Sequence, residues 1–371
     1  MNLPTLQSIS QALAKPHESA VLEAWPRVGV RRIALILLLA TVAAAFLLSL
    51  AVGSVTIPLD QIVTVLLGGE ASKASWTSIV LKFRLPRGLT AALSGAALGV
   101  SGLMMQTLFR NPLADPYVLG ISSGASLGVA LVILSVGTVG GTLLAGIGLM
   151  GDLSIAVAAM IGAAGVMLLV LAVARKVGSS MTLLVLGVMV GFLTNAAVSL
   201  LLFFAIPEQI QAYINWTFGS FSDVTWDELR ILAPAVLVGL LLAGLLTKSL
   251  NALLLGEGYA RTLGVNLLRV RVGIVLATAV LAGVVTAFAG PVGFIGIAVP
   301  HLCRSLLGTS DHRVLVPGTM LVGALVALVA AILAEVPGSN LVLPLNAVTA
   351  LMGAPVVIAV ILRRREVAFS T

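Results

Sequence analysis

The residues best able to act together lie in one polar stretch, residues 253–271, between two long apolar runs. Glu257 and Arg261 are four residues apart with the acid first, the order that favours an ion pair on a helix. Gly264 stands where a C-cap glycine would end that helix, and Asn266 can begin another turn. The pattern predicts two short helices joined by an elbow, on which an outside partner could push. An ordinary loop with a chance ion pair fits the same residues.

Other chemistry is hard to place in this sequence. No glycine-rich loop is followed by Lys and Ser or Thr, so we expect this chain to bind no ATP and not to be an enzyme. His301 and His312 lack ligand partners at the usual spacing, which favours helix-end or loop histidines over a metal site. The apolar runs carry essentially no charges, which disfavours a proton or sodium relay. Energy must then come from outside the chain.

The composition is that of a polytopic membrane protein. Of the 371 residues, 59% are hydrophobic and 9% are charged, whereas about 25% are charged in a soluble protein. The apolar runs are continuous rather than alternating, which indicates membrane-spanning helices. We therefore expect an all-α fold. The single cysteine, Cys303, excludes an intramolecular disulfide.

Ten apolar runs are candidate spans, and the eighth is the shortest. It follows a segment broken by glycine and proline, residues 290–301, that cannot form one straight helix. The ten candidates are residues 33–53, 88–108, 117–136, 153–174, 181–205, 229–247, 272–289, a run ending near 304–308, 314–334 and 345–362.

The distribution of Lys and Arg predicts the orientation. Of 21 such residues, 16 fall on the side that holds both termini and 5 on the other, so both termini are expected in the cytoplasm. Residues 253–271 then lie in the cytoplasm too, between a cytoplasmic arm (1–30) and a cytoplasmic tail (366–371). Three basic residues on the outer side, Lys82, Arg84 and Arg87, run against this rule. They indicate either local tolerance or an acidic external partner.

Several motifs resemble the permease subunits of binding-protein-dependent ABC importers for iron chelates and cobalamin. The resemblance covers residues 31–365 with the motifs in the family's order. They are Arg84-Leu-Pro-Arg87, Arg110-Asn-Pro-Leu-Ala-Asp-Pro116, Leu119-Gly-Ile-Ser-Ser-Gly124, Leu255-Gly-Glu-Gly-Tyr-Ala-Arg-Thr-Leu-Gly264, Gly293-Phe-Ile-Gly-Ile-Ala-Val-Pro-His301, Asp311-His-Arg313 and Gly353-Ala-Pro355.

The resemblance implies a ten-helix type II importer permease in the bacterial inner membrane. It implies a homodimer, two cytoplasmic ATPase subunits that hold ATP and Mg, and a periplasmic or lipid-anchored binding protein. Membrane lipid surrounds such a protein, and no nucleic acid is involved. The chain itself would bind no cofactor and no metal.

The resemblance also implies four groups of functional residues. ATPase coupling would use Leu255, Gly256, Glu257, Ala260, Arg261, Leu263 and Gly264. The cytoplasmic gate would be Ser179, Ser180, Met181 and Thr182, where a polar helix cap is an equally good interpretation. Docking of the binding protein would use Arg84, Arg87 and the position of Glu335. The outer mouth would use Trp216, Phe218 and Phe221, although interfacial anchoring explains the tryptophan as well.

These observations favour the permease of an ATP-driven importer for a bulky metal chelate. A ferric siderophore or haem comes first and cobalamin second, because Glu335 replaces an arginine that the cobalamin branch uses for docking. Two alternatives of other classes are a secondary transporter without ATPase subunits and a non-transporting membrane scaffold. The glycine stripes at Gly95, Gly99, Gly120, Gly124, Gly187 and Gly191 are interpreted as helix packing.

Overall fold

A computed structural model describes residues 24–135, 152–174, 180–335 and 341–369. Most of these residues are helical, as an all-α fold requires, and one isolated antiparallel bridge joins Glu335 to Val342. The helices are α1 Ala24–Ala51, α2 Leu59–Leu66, α3 Ala74–Ile79, α4 Leu85–Leu108, α5 Ile121–Ser135, α6 Asp152–Ala174, α7 Ser180–Phe203, α8 Pro207–Phe218, α9 Trp226–Leu245, α10 Thr247–Leu254, α11 Glu257–Thr262, α12 Leu267–Ala289, α13 Ile295–Leu307, α14 His312–Ala334 and α15 Leu345–Phe369.

Ten of these helical segments are apolar, matching the ten predicted spans. In the described chain, seven are long enough to cross a membrane: parts or all of α1, α6, α7, α9, α12 and α14, and the continuous run Ala74–Leu108 that includes α4. Three shorter apolar helices lie in α5, α13 and α15. The main difference from the sequence prediction is at the helix ends, since α9 begins at Trp226 and α12 at Leu267.

Helix α4 lies at the centre of the bundle, and every residue from Ser94 to Leu108 is buried. Glycines allow its neighbours to approach closely. A Cβ on Gly95 would overlap the carbonyl of Gly323 in α14, and one on Gly102 would overlap the carbonyl of Gly296 in α13. The predicted packing role is therefore confirmed for Gly95, as it is for Gly99, Gly120, Gly124 and Gly187. Gly191 has more room, since its nearest neighbour would be 3.5 Å away.

The predicted break after the seventh span is confirmed. Helix α12 ends at Ala289 and α13 begins at Ile295. Gly290 has a φ of 73° and Phe294 a φ of 66°, so the chain leaves helical geometry at both ends of the connection. A Cβ on Gly290 would lie 2.7 Å from the carbonyl oxygen of Trp216. The break thus lets the end of α8 pack against the end of α12.

The helices end on two opposite sides of the bundle. We call the side on which α1 begins the near side and the opposite side the far side. On the near side, Arg31 donates to the carbonyl of Gly308 at the end of α13, at 3.2 Å. On the far side, the Trp226 indole donates to the carbonyl of Leu81 at 2.8 Å. Each polar connection described next lies on one of these two sides.

Candidate coupling and gate site

The polar stretch between α9 and α12 forms two short helices, α10 and α11, which we call the near-side helix pair. The bend between them is at Leu255 and Gly256, where Gly256 has a φ of 103° that favours glycine. The bend between the two short helices therefore lies eight residues before the elbow predicted at Gly264, which instead separates α11 from α12. Gly264 does end α11, with a φ of 79°, and the side chain of Asn266 caps α12 by accepting from the Arg269 N–H at 3.0 Å.

Glu257 is bonded across the site rather than along its own helix. Its Oε1 accepts a 2.5 Å hydrogen bond from Ser180 Oγ at the start of α7. The same oxygen lies 3.3 Å from the Arg271 guanidinium on α12. The prediction of a Glu257–Arg261 ion pair is wrong. The Glu257 carboxylate pairs with the buried Arg271 instead, and the Arg261 side chain is exposed to solvent.

One face of the near-side helix pair is apolar and exposed. Leu255, Tyr259 and Leu263 are 63%, 55% and 57% exposed. Tyr259 and Leu263 are four residues apart along α11 and its C-cap, which places them on one side of that helix, and Leu255 lies at the bend just before it. Ala260 points the other way and is fully buried. Tyr259 was absent from the sequence-based set, although its helical spacing of four residues from Leu263 would have revealed it.

A hydrogen-bond network anchors α10 to the bundle, and sequence reasoning missed its central residue, Asn251. The Asn251 amide donates to Asp311 Oδ1 at 2.7 Å, and its oxygen accepts from the His312 N–H at 2.8 Å. The His312 ring contacts Asn251 Oδ1 through Nδ1 at 2.8 Å and Thr107 Oγ1 through Nε2 at 2.9 Å. The network therefore links α10 to α4 and α14.

Asp311 is ionised in this network. Burial opposes the charge, but hydrogen bonds from the Arg313 backbone N–H and the Asn251 side chain outweigh it and lower the pKa of Asp311 below its ordinary value. His312 is thus a structural helix-end histidine, as the sequence indicated. His301 also has a structural partner, the carbonyl of Pro112, at 2.7 Å. Among the described residues, no group of three or more potential metal ligands occurs.

The predicted gate residues lie at the start of α7, beside the helix pair. Ser180 is buried against Glu257, whereas Met181 and Thr182 are exposed. Ser179 lies outside the described residues. The structure therefore brings the predicted gate and the predicted coupling residues into direct contact, although they are 77 positions apart in the chain.

On the far side, Arg84 and Arg87 are buried rather than displayed. Both are about 5% exposed. Arg84 donates to the carbonyls of Leu50 at 2.7 Å and Ala51 at the end of α1, and to the carbonyl of Val55 in the segment that follows. Arg87 donates to the carbonyl of Ser49 and forms an ion pair with Glu335. We correct the expectation of open surface charges, because these guanidinium groups satisfy helix-end carbonyls; their docking role stays a prediction.

The sequence comparison decides the family. Residues 38–363 match the FecCD transport family. The chain belongs to this family.

Two permease proteins of other transport systems resemble this chain along most of its length. The vitamin B12 import system permease protein BtuC of Klebsiella pneumoniae is 39% identical over 297 residues, covering 80% of this chain and 86% of that protein. The hemin transport system permease protein HmuU of Yersinia pestis is 38% identical over 298 residues, covering 80% and 86%. This chain is likewise a membrane-spanning permease subunit of an ABC transporter complex.

A solved structure shows the same architecture. It is described as an inward-facing conformation of a metal-chelate type ABC transporter, with a TM-score of 0.77 and 28% identity. The match covers 89% of this chain and 98% of that one. The fold of this FecCD-family member is therefore that of a polytopic type II importer permease.

The predicted outer-mouth residues of this permease separate into two environments. Phe218, at the end of α8, is exposed, and Trp216 lines a cavity of about 290 Å³ between α8, α6 and the end of α12. Phe221 is only 3% exposed and packs in the core. We correct the expectation for Phe221, because the chain turns inward after Gly219. The role of Trp216 and Phe218 stays a prediction.

Proposed function

We propose that this permease works as a homodimer that imports a bulky metal chelate across the bacterial inner membrane. Two ATPase subunits bind its near side, which is the cytoplasmic side and holds both termini. A periplasmic or lipid-anchored binding protein delivers the chelate to the far side. ATP and Mg bind the ATPase subunits, and this chain supplies the pathway and the gates.

The observation that carries this proposal is the exposed apolar row of Leu255, Tyr259 and Leu263. Exposed apolar side chains clustered on a polar connection mark a protein-binding surface. The bend at Gly256 fixes the row relative to the bundle, and Asn251 anchors the preceding helix. A force on the row would therefore act on the bundle rather than on a slack loop.

The gate contact supports ATP-driven transport in particular. Glu257 follows the bend directly and bonds to Ser180, so movement of the helix pair alters the start of α7. Met181 and Thr182, on the next two positions, are exposed and able to close or open a passage. A scaffold without transport would not need this connection.

For the cargo, we propose a ferric siderophore or haem, with cobalamin as the second candidate. The similar proteins named for hemin and for vitamin B12 are almost equally identical to this chain, so both classes have support. The Arg87–Glu335 ion pair favours the first class. It places an acid on the outer side where a docking arginine is expected for cobalamin.

Transport into vesicles tests the proposal. The purified permease, its ATPase and its binding protein are reconstituted, and uptake of haem, a ferric hydroxamate siderophore and cobalamin is measured separately with and without ATP. We expect ATP-dependent uptake of one iron chelate. Uptake of cobalamin alone would favour the second candidate. Uptake driven by an ion gradient without the ATPase would overturn the proposal in favour of a secondary transporter.

A substitution at one exposed residue tests whether the apolar row binds the ATPase. Tyr259→Asp should abolish co-purification of the ATPase and ATP-dependent uptake, because it places a charge in an apolar contact. Leu67→Asp is the matched control, since Leu67 is 83% exposed on the far side and should leave ATPase binding unchanged. Equal loss in both variants would contradict a specific role for the row.

A further inference from the structure

A basic cavity lies on the near side beside the helix pair, and the functions described so far do not use it. It has a volume of about 230 Å³ and is formed where α4, α10 and α13 end and α14 begins. Its polar lining includes Gln106, Thr107, Arg110, Arg304, Ser310 and His312. Leu254, the neighbour of Leu255 in the exposed row, forms part of its edge.

Arg110 has a backbone conformation that normally belongs to glycine. Its φ is 48°, and the chain makes the two hydrogen bonds of a Schellman helix end. The Arg110 N–H donates to the carbonyl of Thr107 at 3.3 Å, and the Asn111 N–H donates to that of Gln106 at 3.2 Å. A side chain is disfavoured in this conformation. Glycine would adopt this backbone conformation with less strain than arginine. An arginine at this position therefore indicates that its guanidinium has a function.

The cavity has positive charge, and none of the described residues that line it carries a carboxylate. Arg304 is held in place by a 2.5 Å hydrogen bond to Gln106 Oε1. Asp311, next to His312, is bonded to Asn251 and to the Arg313 backbone. Arg110 is exposed and lies against the bend of the helix pair, where a Cβ on Gly256 would be 3.5 Å from its Nη1. Two guanidinium groups thus face a space that an anionic group fits.

We propose that this cavity receives a carboxylate side chain of the ATPase subunit, held by Arg110 with Arg304 behind it. The inference rests on the proposed function, because the occupant comes from the subunit that docks on the apolar row. The volume is below the roughly 300–1,000 Å³ of small-molecule sites but suffices for one acidic side chain. Arginine binds carboxylates with paired hydrogen bonds, and a charged contact at the rim of an apolar patch is the usual anatomy of an interface.

The Arg110→Gly variant tests whether the cavity binds the ATPase subunit without destabilising the fold. The variant removes the guanidinium and supplies the residue that the backbone favours, so the melting temperature of the permease alone should stay the same or rise. Its affinity for the ATPase subunit should fall about tenfold or more at low salt, and the difference should shrink at high salt. Arg32→Gln is the control, because it removes an exposed near-side arginine outside the cavity and should bind normally.

The partner acid can be found by charge exchange. Arg110→Glu should weaken binding further, and one Asp→Lys or Glu→Lys variant of the ATPase should restore it. Normal affinity of Arg110→Gly at low salt would overturn the inference and leave the proposed function intact. Failure of the unmodified permease to bind any ATPase would overturn both. Stabilisation of the unmodified permease by inorganic phosphate, lost in Arg110→Gly together with unchanged ATPase affinity, would instead assign the cavity to a free anion.

Discussion

Ser180 Oγ donates a 2.5 Å hydrogen bond to Glu257 Oε1, which joins the first residue of α7 to the first residue of α11. The same carboxylate pairs with Arg271 on α12 at 3.3 Å. One acid therefore connects the predicted gate, the near-side helix pair and a membrane-spanning helix. A displacement of α11 must break or stretch these contacts or move α7 and α12 with it, so Glu257 is a direct physical link between the near-side helix pair and the predicted gate.

The first prediction concerns Ser180→Ala. Loss of a hydrogen bond to a charged group costs about 1.5–3 kcal/mol, and here it disconnects α7 from the helix pair without touching the exposed row. We expect normal ATPase binding but several-fold less chelate imported per ATP hydrolysed, measured in vesicles. Ser199→Ala, which removes an exposed hydroxyl near the far end of the same helix α7, is the control. An unchanged ratio in Ser180→Ala would contradict this link.

The second prediction concerns Glu257→Lys. The substitution places a cation beside buried Arg271, so α11 should be repelled from α12. We expect reduced co-purification of the ATPase and loss of uptake, while Glu257→Gln, which still accepts from Ser180, should be intermediate. Glu208→Lys makes the same charge change at an exposed residue of α8 and should not affect ATPase binding. Unchanged co-purification and uptake in Glu257→Lys would refute the role of this acid.

The third prediction compares two glycines of the same short segment. Gly264 has a φ of 79°, whereas Gly258 lies within α11, and a Cβ at either would meet no atom of the described residues within 4 Å. Gly264→Ala should therefore cost about 1–2 kcal/mol through backbone strain alone. Gly258→Ala should gain up to about 1 kcal/mol of helix stability.

Hydrogen exchange of the α11 amides measures this contrast without transport. Exchange at the end of α11 should be faster in Gly264→Ala and slower in Gly258→Ala. Only the first substitution should also reduce uptake by loosening the helix pair. Equal exchange in both variants would show that the positive φ of Gly264 is not needed to end the helix.

Local sequence rules predicted the parts of this fold that depend on neighbours along the chain. Continuous apolar runs predicted the ten apolar helices, and glycine and proline predicted a break within residues 290–301, which the structure has between Ala289 and Ile295. Gly264 and Asn266 were identified as a helix end and a helix start for the same reason. Each of these features is decided by residues within a turn or two.

The features that the sequence did not reveal depend on residues brought together by the fold. The spacing rule predicted that Glu257 pairs with Arg261, four residues away. Its partner is Arg271 instead, which lies beside Glu257 because of the way α12 packs. Arg84 and Arg87 looked like surface charges, because nothing in their own segment shows that the carbonyls at the end of α1 lie beside them. Asn251 has no motif, and its importance follows only from its contacts with Asp311 and His312.

The fourth prediction tests glycine packing at the centre of the bundle. A Cβ on Gly95 would overlap the backbone of Gly323, whereas one on Gly165 would meet no atom within 4 Å in the part of the chain that the structure describes. Gly95→Ala must separate α4 from α14 and should cost about 1–3 kcal/mol or more. Gly165→Ala should leave the melting temperature in detergent unchanged or higher. A similar decrease in both variants would show that space at the helix contact is not limiting.

The last prediction concerns the ion pair between Arg87 and Glu335, which are both largely buried. Removing one member of a buried pair costs about 3–5 kcal/mol, so Arg87→Glu should lower the melting temperature and the yield of folded protein. The exchanged variant with Arg87→Glu and Glu335→Arg should recover part of this loss, though not the bond to Ser49. Arg230→Gln, in an exposed pair with Asp227, should cost about 0–1 kcal/mol.

The exchanged variant also separates folding from docking of the binding protein. If Arg87 attracts an acidic surface, the folded exchanged protein should present an arginine from α14 instead and still bind the binding protein, with a changed on-rate at low salt. If the pair is only structural, the on-rate should match that of the unmodified permease. Failure of the exchange to recover any stability would contradict the ion pair itself, because the reversed charges would then have no partner in the fold.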